Sequence, residues 1–231
     1  MTGYRTWLRA RRAEPGHRGQ CGHTLMELMV ATSLLSLILA AAFGAVVSMQ
    51  TQAVSTSDRF AAQSEGQTIA SRITKDLRTA VAPTSTTAAF ASAGANDIVF
   101  YASLNDLSVT TPGSGPTRLH AYVSLIPGTS VYAFHEDATQ PDPGGSPGNY
   151  TYTGSIVNRL DGQYVDTSQP IFTYWRADGT QILPMPITTN ADLRSIEAVG
   201  ITLRVRVKPR SPIVVISTRI HIRNVDYNPD A

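Results

Sequence analysis

No charged side chain occurs from residue 28 to residue 57, and residues 28–49 read LMVATSLLSLILAAAFGAVVSM, 22 positions of mostly Leu, Ile, Val, Met and Ala. At 1.5 Å per residue a helix of that length covers the ~30 Å hydrocarbon core of a bilayer. A buried core helix can share this composition, but the flanks point elsewhere. Five arginines, Arg5, Arg9, Arg11, Arg12 and Arg18, precede the run and only Glu14 opposes them. That charge bias places the N-terminus in the cytoplasm and everything after about residue 50 across the membrane.

The basic character is confined to that end. Of 19 Lys and Arg and 17 Asp and Glu, residues 23–231 keep 14 basic and 16 acidic side chains, so the overall charge gives no indication of nucleic-acid binding. The single cysteine, Cys21, excludes an intramolecular disulfide framework and leaves residues 23–231 without a thiol nucleophile or a Cys-ligated metal.

Glu27 interrupts the apolar pattern at its start, where an ionisable group costs on the order of 2–3 kcal/mol unless it is paired or near the interface. Its surroundings, Gly22-His23-Thr24-Leu25-Met26-Glu27-Leu28-Met29-Val30-Ala31, resemble the processing site of type IV prepilins and type II secretion pseudopilins. Those chains carry a basic leader ending in Gly, then an aromatic residue, Thr, Leu, an aliphatic residue, Glu and a further apolar run. The resemblance implies cleavage after Gly22 by the prepilin peptidase, methylation of the new amine on His23, and Glu27 as the fifth residue of the mature chain. It also implies that Glu27 neutralises the N-terminal amine of a neighbouring subunit, so that two charges costly in an apolar bundle become one pair. His23 departs from the family's usual Phe and adds a titrating ring beside the amine.

A competing reading is an ordinary secretory signal, with residues 25–39 as its apolar region and Ala40-Ala41-Ala42 as the cleavage site, releasing a soluble protein that begins near Phe43. The long leader and the Glu inside the apolar stretch weigh against it.

The helix is expected to continue. Residues 50–80 contain no proline and one glycine, Gly66, while Phe60, Ile69, Ile73, Leu77 and Val81 recur at multiples of three to four residues, and Pro83 follows. A helix over residues 24–81 would be about 87 Å long, apolar in its first half and amphipathic in its second. This resembles the spine of a pilin. Residues 74–80, TKDLRTA, also resemble the end of that helix in the W-type minor pilins and J-type pseudopilins.

Beyond Pro83 the composition turns to Thr, Ser, Gly, Pro and β-branched residues, which predicts a β-rich head. Strand candidates are 97–104, 121–126, 130–135, 149–157, 170–176, 181–183, 196–207 and 213–223. Asp178-Gly179 marks the clearest hairpin turn and Asp161-Gly162 a second, while 110–117 and 140–149 read as mobile loops.

No nucleotide-binding, zinc-protease, hydrolase or calcium-loop motif occurs. His120, His135 and His221 stand on or beside strand-like stretches and read as surface or satisfied histidines. Glu136, Asp137 and Asp142 could approach one another around a cation, although a solvated turn is the expected outcome. Arg204, Arg206 and Lys208 alternate with apolar residues on one strand, as do Arg219, His221 and Arg223 on the next. If both rows share a side, the hairpin would carry a cationic stripe able to contact DNA phosphates, and a solvated face answered by acids is the competing expectation.

These readings give an α+β chain: a leader at 1–22, a transmembrane and filament-core helix at 23–50, its amphipathic continuation at 51–82, and a β-rich globular head at 83–231. The resemblance implies a minor pilin or pseudopilin. This is a structural subunit without enzymatic activity or cofactor, whose mature length of 209 residues fits a low-copy or tip position. Its partners would be the prepilin peptidase, other minor and major pilins or pseudopilins, the inner-membrane assembly platform and the membrane. It would span the inner membrane once, with its head outside the cytoplasm, before entering a filament.

Overall fold

The computed structural model describes residues 24–104, 115–129, 131–144, 149–208 and 211–222, and the chain falls into two compact units, Met1–Thr51 and Gln52–Ala231. The described part of the first unit is helical and belongs to α1 (Leu25–Arg78). Strong helix formers, the absence of proline and a Thr24 cap account for it. None of residues 24–51 is buried.

In the second unit α1 buries Ala62, Gly66, Ile69, Ala70, Ile73, Asp76 and Leu77, a stripe at helical spacing. Phe60, expected on that stripe, is instead 68% exposed, because it lies nine residues, two and a half turns, before Ile69 and points the other way. The sheet comes close at Gly66. A Cβ there would meet Ile216 Cδ1 at 2.5 Å and Val205 Cγ2 at 3.3 Å, so the sheet closes directly on the helix backbone. The helix ends at Arg78, short of Val81, because the following residues join the sheet. Ala80 bridges Ala102, and the Val81 N–H donates to the Tyr101 carbonyl at 2.9 Å.

The strands are β1 (Phe90–Ala93), β2 (Asp97–Ala102), β3 (Thr117–Leu125), β4 (Tyr132–Thr139), β5 (Ile156–Val165), β6 (Phe172–Trp175), β7 (Ala198–Val205) and β8 (Val214–His221), with a short helix, α2 (Asn190–Arg194), before β7. All pairings are antiparallel. The run β1-β2-β3-β4-β5 meets the set β6-β7-β8 through one residue pair, Val165 with Val205, so the head is two antiparallel sheets joined at a seam. Alternation along β2 and β3 sends Ile98, Phe100, Leu119 and Ala121 inward. Phe134, Phe172, Tyr174, Ile201 and Leu203 extend the same core.

An apolar helix followed by a β-rich α+β head is therefore what the chain forms, with local departures. Residues 149–155 are a loop rather than a strand, tied down by Asp142, whose carboxylate accepts the Thr153 N–H at 3.1 Å and the Thr153 hydroxyl at 2.9 Å. Asp161-Gly162 lies inside β5 and makes no turn. Gly162 instead faces Ile69, and the missing Cβ lets β5 pass close to α1. Residues 181–183 contribute only the Trp175–Gln181 bridge, since Pro184 and Pro186 follow and cannot donate to a ladder. The Asp178-Gly179 turn forms, with Gly179 at φ +80 and the Arg176 N–H donating to the Thr180 carbonyl at 2.9 Å. Of the two loops read as mobile, residues 110–114 and 145–148 lie outside the described residues, and Thr117 begins β3.

Candidate functional site

The first candidate region is the start of α1. Thr24 caps the helix: its hydroxyl accepts the Glu27 N–H at 3.3 Å, and its carbonyl accepts the Leu28 N–H at 3.1 Å. Thr24-Leu25-Met26-Glu27 thus has the spacing of a capping box and puts the Glu27 carboxylate in the first turn, where the helix dipole favours negative charge. Sequence reading took Glu27 as an assembly residue and missed this local role, which the T-x-x-E spacing would have revealed. Gly22 and His23 lie outside the described residues.

Beyond this cap, Leu25, Leu28, Leu35, Ile38 and Phe43 are 56–78% exposed. Four hydroxyl residues among them are satisfied within the helix. The hydroxyls of Thr32, Ser33, Ser36 and Thr51 donate to carbonyls three or four residues earlier at 2.8–2.9 Å. A stretch apolar on every side, with these four hydroxyls bonded back to the helix, suits hydrocarbon, and α1 is long and apolar enough to cross a membrane.

The second region is the basic face of the β7–β8 hairpin. Register pairs Gly200 with Arg219, Thr202 with Ser217, and Arg204 with Val215, so Arg204 and Arg219 do share a face. They stand four residues apart, about 13 Å, with the Thr202–Ser217 hydroxyl pair between them at 3.2 Å. Each cation also has local company. The Arg219 guanidinium lies 4.1 Å from the centre of the Trp175 ring. Lys208 Nζ pairs with Asp58 at 3.1 Å, and the Ser211 hydroxyl donates to the same carboxylate at 2.6 Å. Those two hydrogen bonds, Ser211 first, hold the Asp58 carboxyl below its usual range. Asp166, lowered chiefly by its hydrogen bonds from Ser168, also feels Arg204 and Arg206. Arg223 lies outside the described residues.

A third feature had no sequence signal: four charged side chains meet between α1, β4 and β5. Arg159 Nη1 lies 3.1 Å from Asp76 Oδ2 and 3.2 Å from Glu136 Oε1, while Arg72 Nε lies 3.4 and 3.8 Å from the same two oxygens. Asp76 and Glu136 are fully buried and the Arg159 side chain is 6% exposed. Burial, and then the neighbouring Asp76 charge, raise the Glu136 carboxyl to about 7 against the pull of Arg159 and Arg72.

This arrangement also corrects the cation expectation. Glu136 is committed to the quartet, Asp137 accepts the Tyr122 hydroxyl at 3.0 Å, and Asp142 holds Thr153, so the three do not converge. Among the described residues no three His, Cys, Asp or Glu side chains are placed to share a metal. His120 and His135 come together on the outer face of β3 and β4, stacked on either side of Tyr122 at 4.4 and 5.1 Å, and His135 Nε2 is 2.9 Å from the Ser124 hydroxyl. His135 is thus hydrogen-bonded and His120 is held by its ring stack, and His221 stands apart on β8.

Residues 17–43 match the family model described as the prokaryotic N-terminal methylation motif. No curated protein and no solved structure matches the chain. The matched segment covers the capped, apolar start of α1, and the two together support a membrane-anchored, type IV pilin-like precursor of a structural class of protein.

Proposed function

We propose that this chain is a minor pilin or pseudopilin, a low-copy or tip subunit of a type IV pilus or type II secretion pseudopilus. The observation that carries the reading is the methylation-motif match over residues 17–43, with Glu27 five positions beyond Gly22 at the head of a helix that is uncharged from residue 28 to residue 57. In this reading the prepilin peptidase cuts after Gly22 on the cytoplasmic face, and the new amine on His23 is methylated. Glu27 pairs with the amine of a neighbouring subunit, which sets axial register in the filament. The assembly platform and other pilins are the partners, and the head stays outside the cytoplasm.

The basic face of the β7–β8 hairpin is read as internally answered by Asp58, Asp166 and Trp175 rather than as a DNA contact. The deciding measurement is the intact mass and N-terminal sequence of the protein from its native membrane, with and without the peptidase. The expected chain starts at His23 and appears only when the peptidase is present. A start near Phe43 that ignores the peptidase would overturn the reading in favour of a secreted β-domain.

A further inference from the structure

The margins of the head differ in how well they are closed. At one end β1 is four residues long, shifts register between Phe90 and Ser92, and is bridged from Ala93 to Ile187, so little of its edge remains for another strand. At the other end β8 pairs with β7 at all eight positions without a bulge, and among the described residues no element bonds to its second edge. Its first five residues, Val214-Val215-Ile216-Ser217-Thr218, are strong strand formers with no Pro, Lys or other blocking residue. A regular edge strand with an uncharged run of this kind is a template for strand addition.

Beside it runs an open groove of about 670 Å³, with Ile216 and Thr218 of β8 below and Gln67, Ala70, Ser71, Thr74, Lys75 and Arg78 of α1 along its side. Its surface is mostly apolar, yet two exposed cations stand on it. Among the described residues neither Lys75 nor Arg78 has a carboxylate partner, whereas Lys208 and Arg176 each do. Their sign suits the C-terminal end of α1, but the helix dipole is at most half a charge, so the groove wall remains positive.

From the open edge, the apolar floor and the unanswered positive wall, we infer that β8 and α1 form a docking site for an extended acidic segment of a partner protein, added as a ninth strand. Main-chain bonds to β8 would give pairing. Alternate side chains of the added strand would point to the α1 side, where aliphatic groups meet Ile216 and carboxylates meet Lys75 and Arg78. A second copy of this chain fits less well, because β8 against β8 would bring two positive walls together. The inference does not depend on the filament reading, since it concerns only the head.

The test uses the full chain in detergent micelles and a synthetic valine–glutamate peptide of repeat Val-Thr-Glu-Thr, whose side chains on one face alternate valine and glutamate, with the corresponding valine–lysine peptide as control. Backbone amide exchange along β8 is followed by NMR. The valine–glutamate peptide is expected to slow exchange of the outward-facing β8 amides by about tenfold or more, in a salt-sensitive way, while the control does not. The exposed pair Lys75→Glu with Arg78→Glu should reverse that preference without altering the other strands. Equal protection by both peptides, or none at millimolar peptide, would overturn the inference. So would protection that grows with protein concentration alone, which would assign the edge to a second copy.

Discussion

From Leu25 to Thr51, α1 leaves Leu28, Leu35, Ile38 and Phe43 56–68% exposed, whereas further along the same helix Ala62, Ile69, Ile73 and Leu77 are at most 1% exposed. Helix propensity does not separate the two stretches, since both are rich in good formers. The distinction is the partner. The later stretch has β5, β7 and β8 to close on it, through Gly66 and Gly162, while among the described residues nothing buries the earlier one. A sequence can thus specify a helix without specifying what covers it. The uncovered half is the one that matches the methylation motif.

The largest expected effect breaks the covered half. Replacing Arg159 with Met leaves Asp76 and Glu136 facing each other in the interior and should cost on the order of 3–5 kcal/mol at pH 8 in urea unfolding of the full chain in micelles. The loss should shrink at pH 5, where Glu136 carries a proton. An equal loss at both pH values would show that the quartet contributes packing and not charge.

A matched pair of truncations sharpens the contrast next. Ile73→Ala should cost about 2–5 kcal/mol of head stability, and Ile38→Ala, at a position 62% exposed, about 0.5 kcal/mol or less. Similar losses in the same unfolding assay would mean that the two stretches are not energetically distinct.

The most gradual effect is a slope. Because the folded state raises the Glu136 carboxyl from 4.5 to about 7, it favours the protonated form. This stabilisation is complete below about pH 4.5 and is lost as pH rises to about 7, a change of up to roughly 3 kcal/mol. His120, lowered mainly by burial, works the other way, since its neutral form is favoured and stability falls as pH drops below 6.5. Asp58, Asp166 and Asp192 are lowered by hydrogen bonds and act only at more acidic pH. The difference between wild type and Glu136→Gln across pH 4.5–7 therefore isolates the buried carboxyl, and a flat difference would remove its raised pKa.

The parts legible in the sequence were those whose signal is local. The apolar run, the Gly22-to-Glu27 spacing and the Asp178-Gly179 turn each sit within a few tens of residues. Phe60 falls in the three-to-four-residue series, but it is nine residues, two and a half turns, before Ile69 and so points away from the buried stripe. What else escaped depends on distant neighbours. Asp161-Gly162 has turn chemistry, yet the glycine is needed where β5 passes Ile69. Glu136 and Asp137 looked like one acidic cluster because they are adjacent, although strand alternation sends them to opposite faces. Arg72, Asp76, Glu136 and Arg159 come from three elements, and no spacing announces their meeting.

The hydroxyls of Thr32, Ser33, Ser36 and Thr51 have one more consequence. By bonding back to their own helix these four side chains carry their hydrogen bonds with them wherever the stretch goes. Passage from lipid tails to the flanks of other helices would exchange one set of dispersion contacts for another, with no bond of these four hydroxyls to break on leaving or to find on arrival. Such a segment is thermodynamically portable, and small differences in side-chain fit are then enough to decide where it rests.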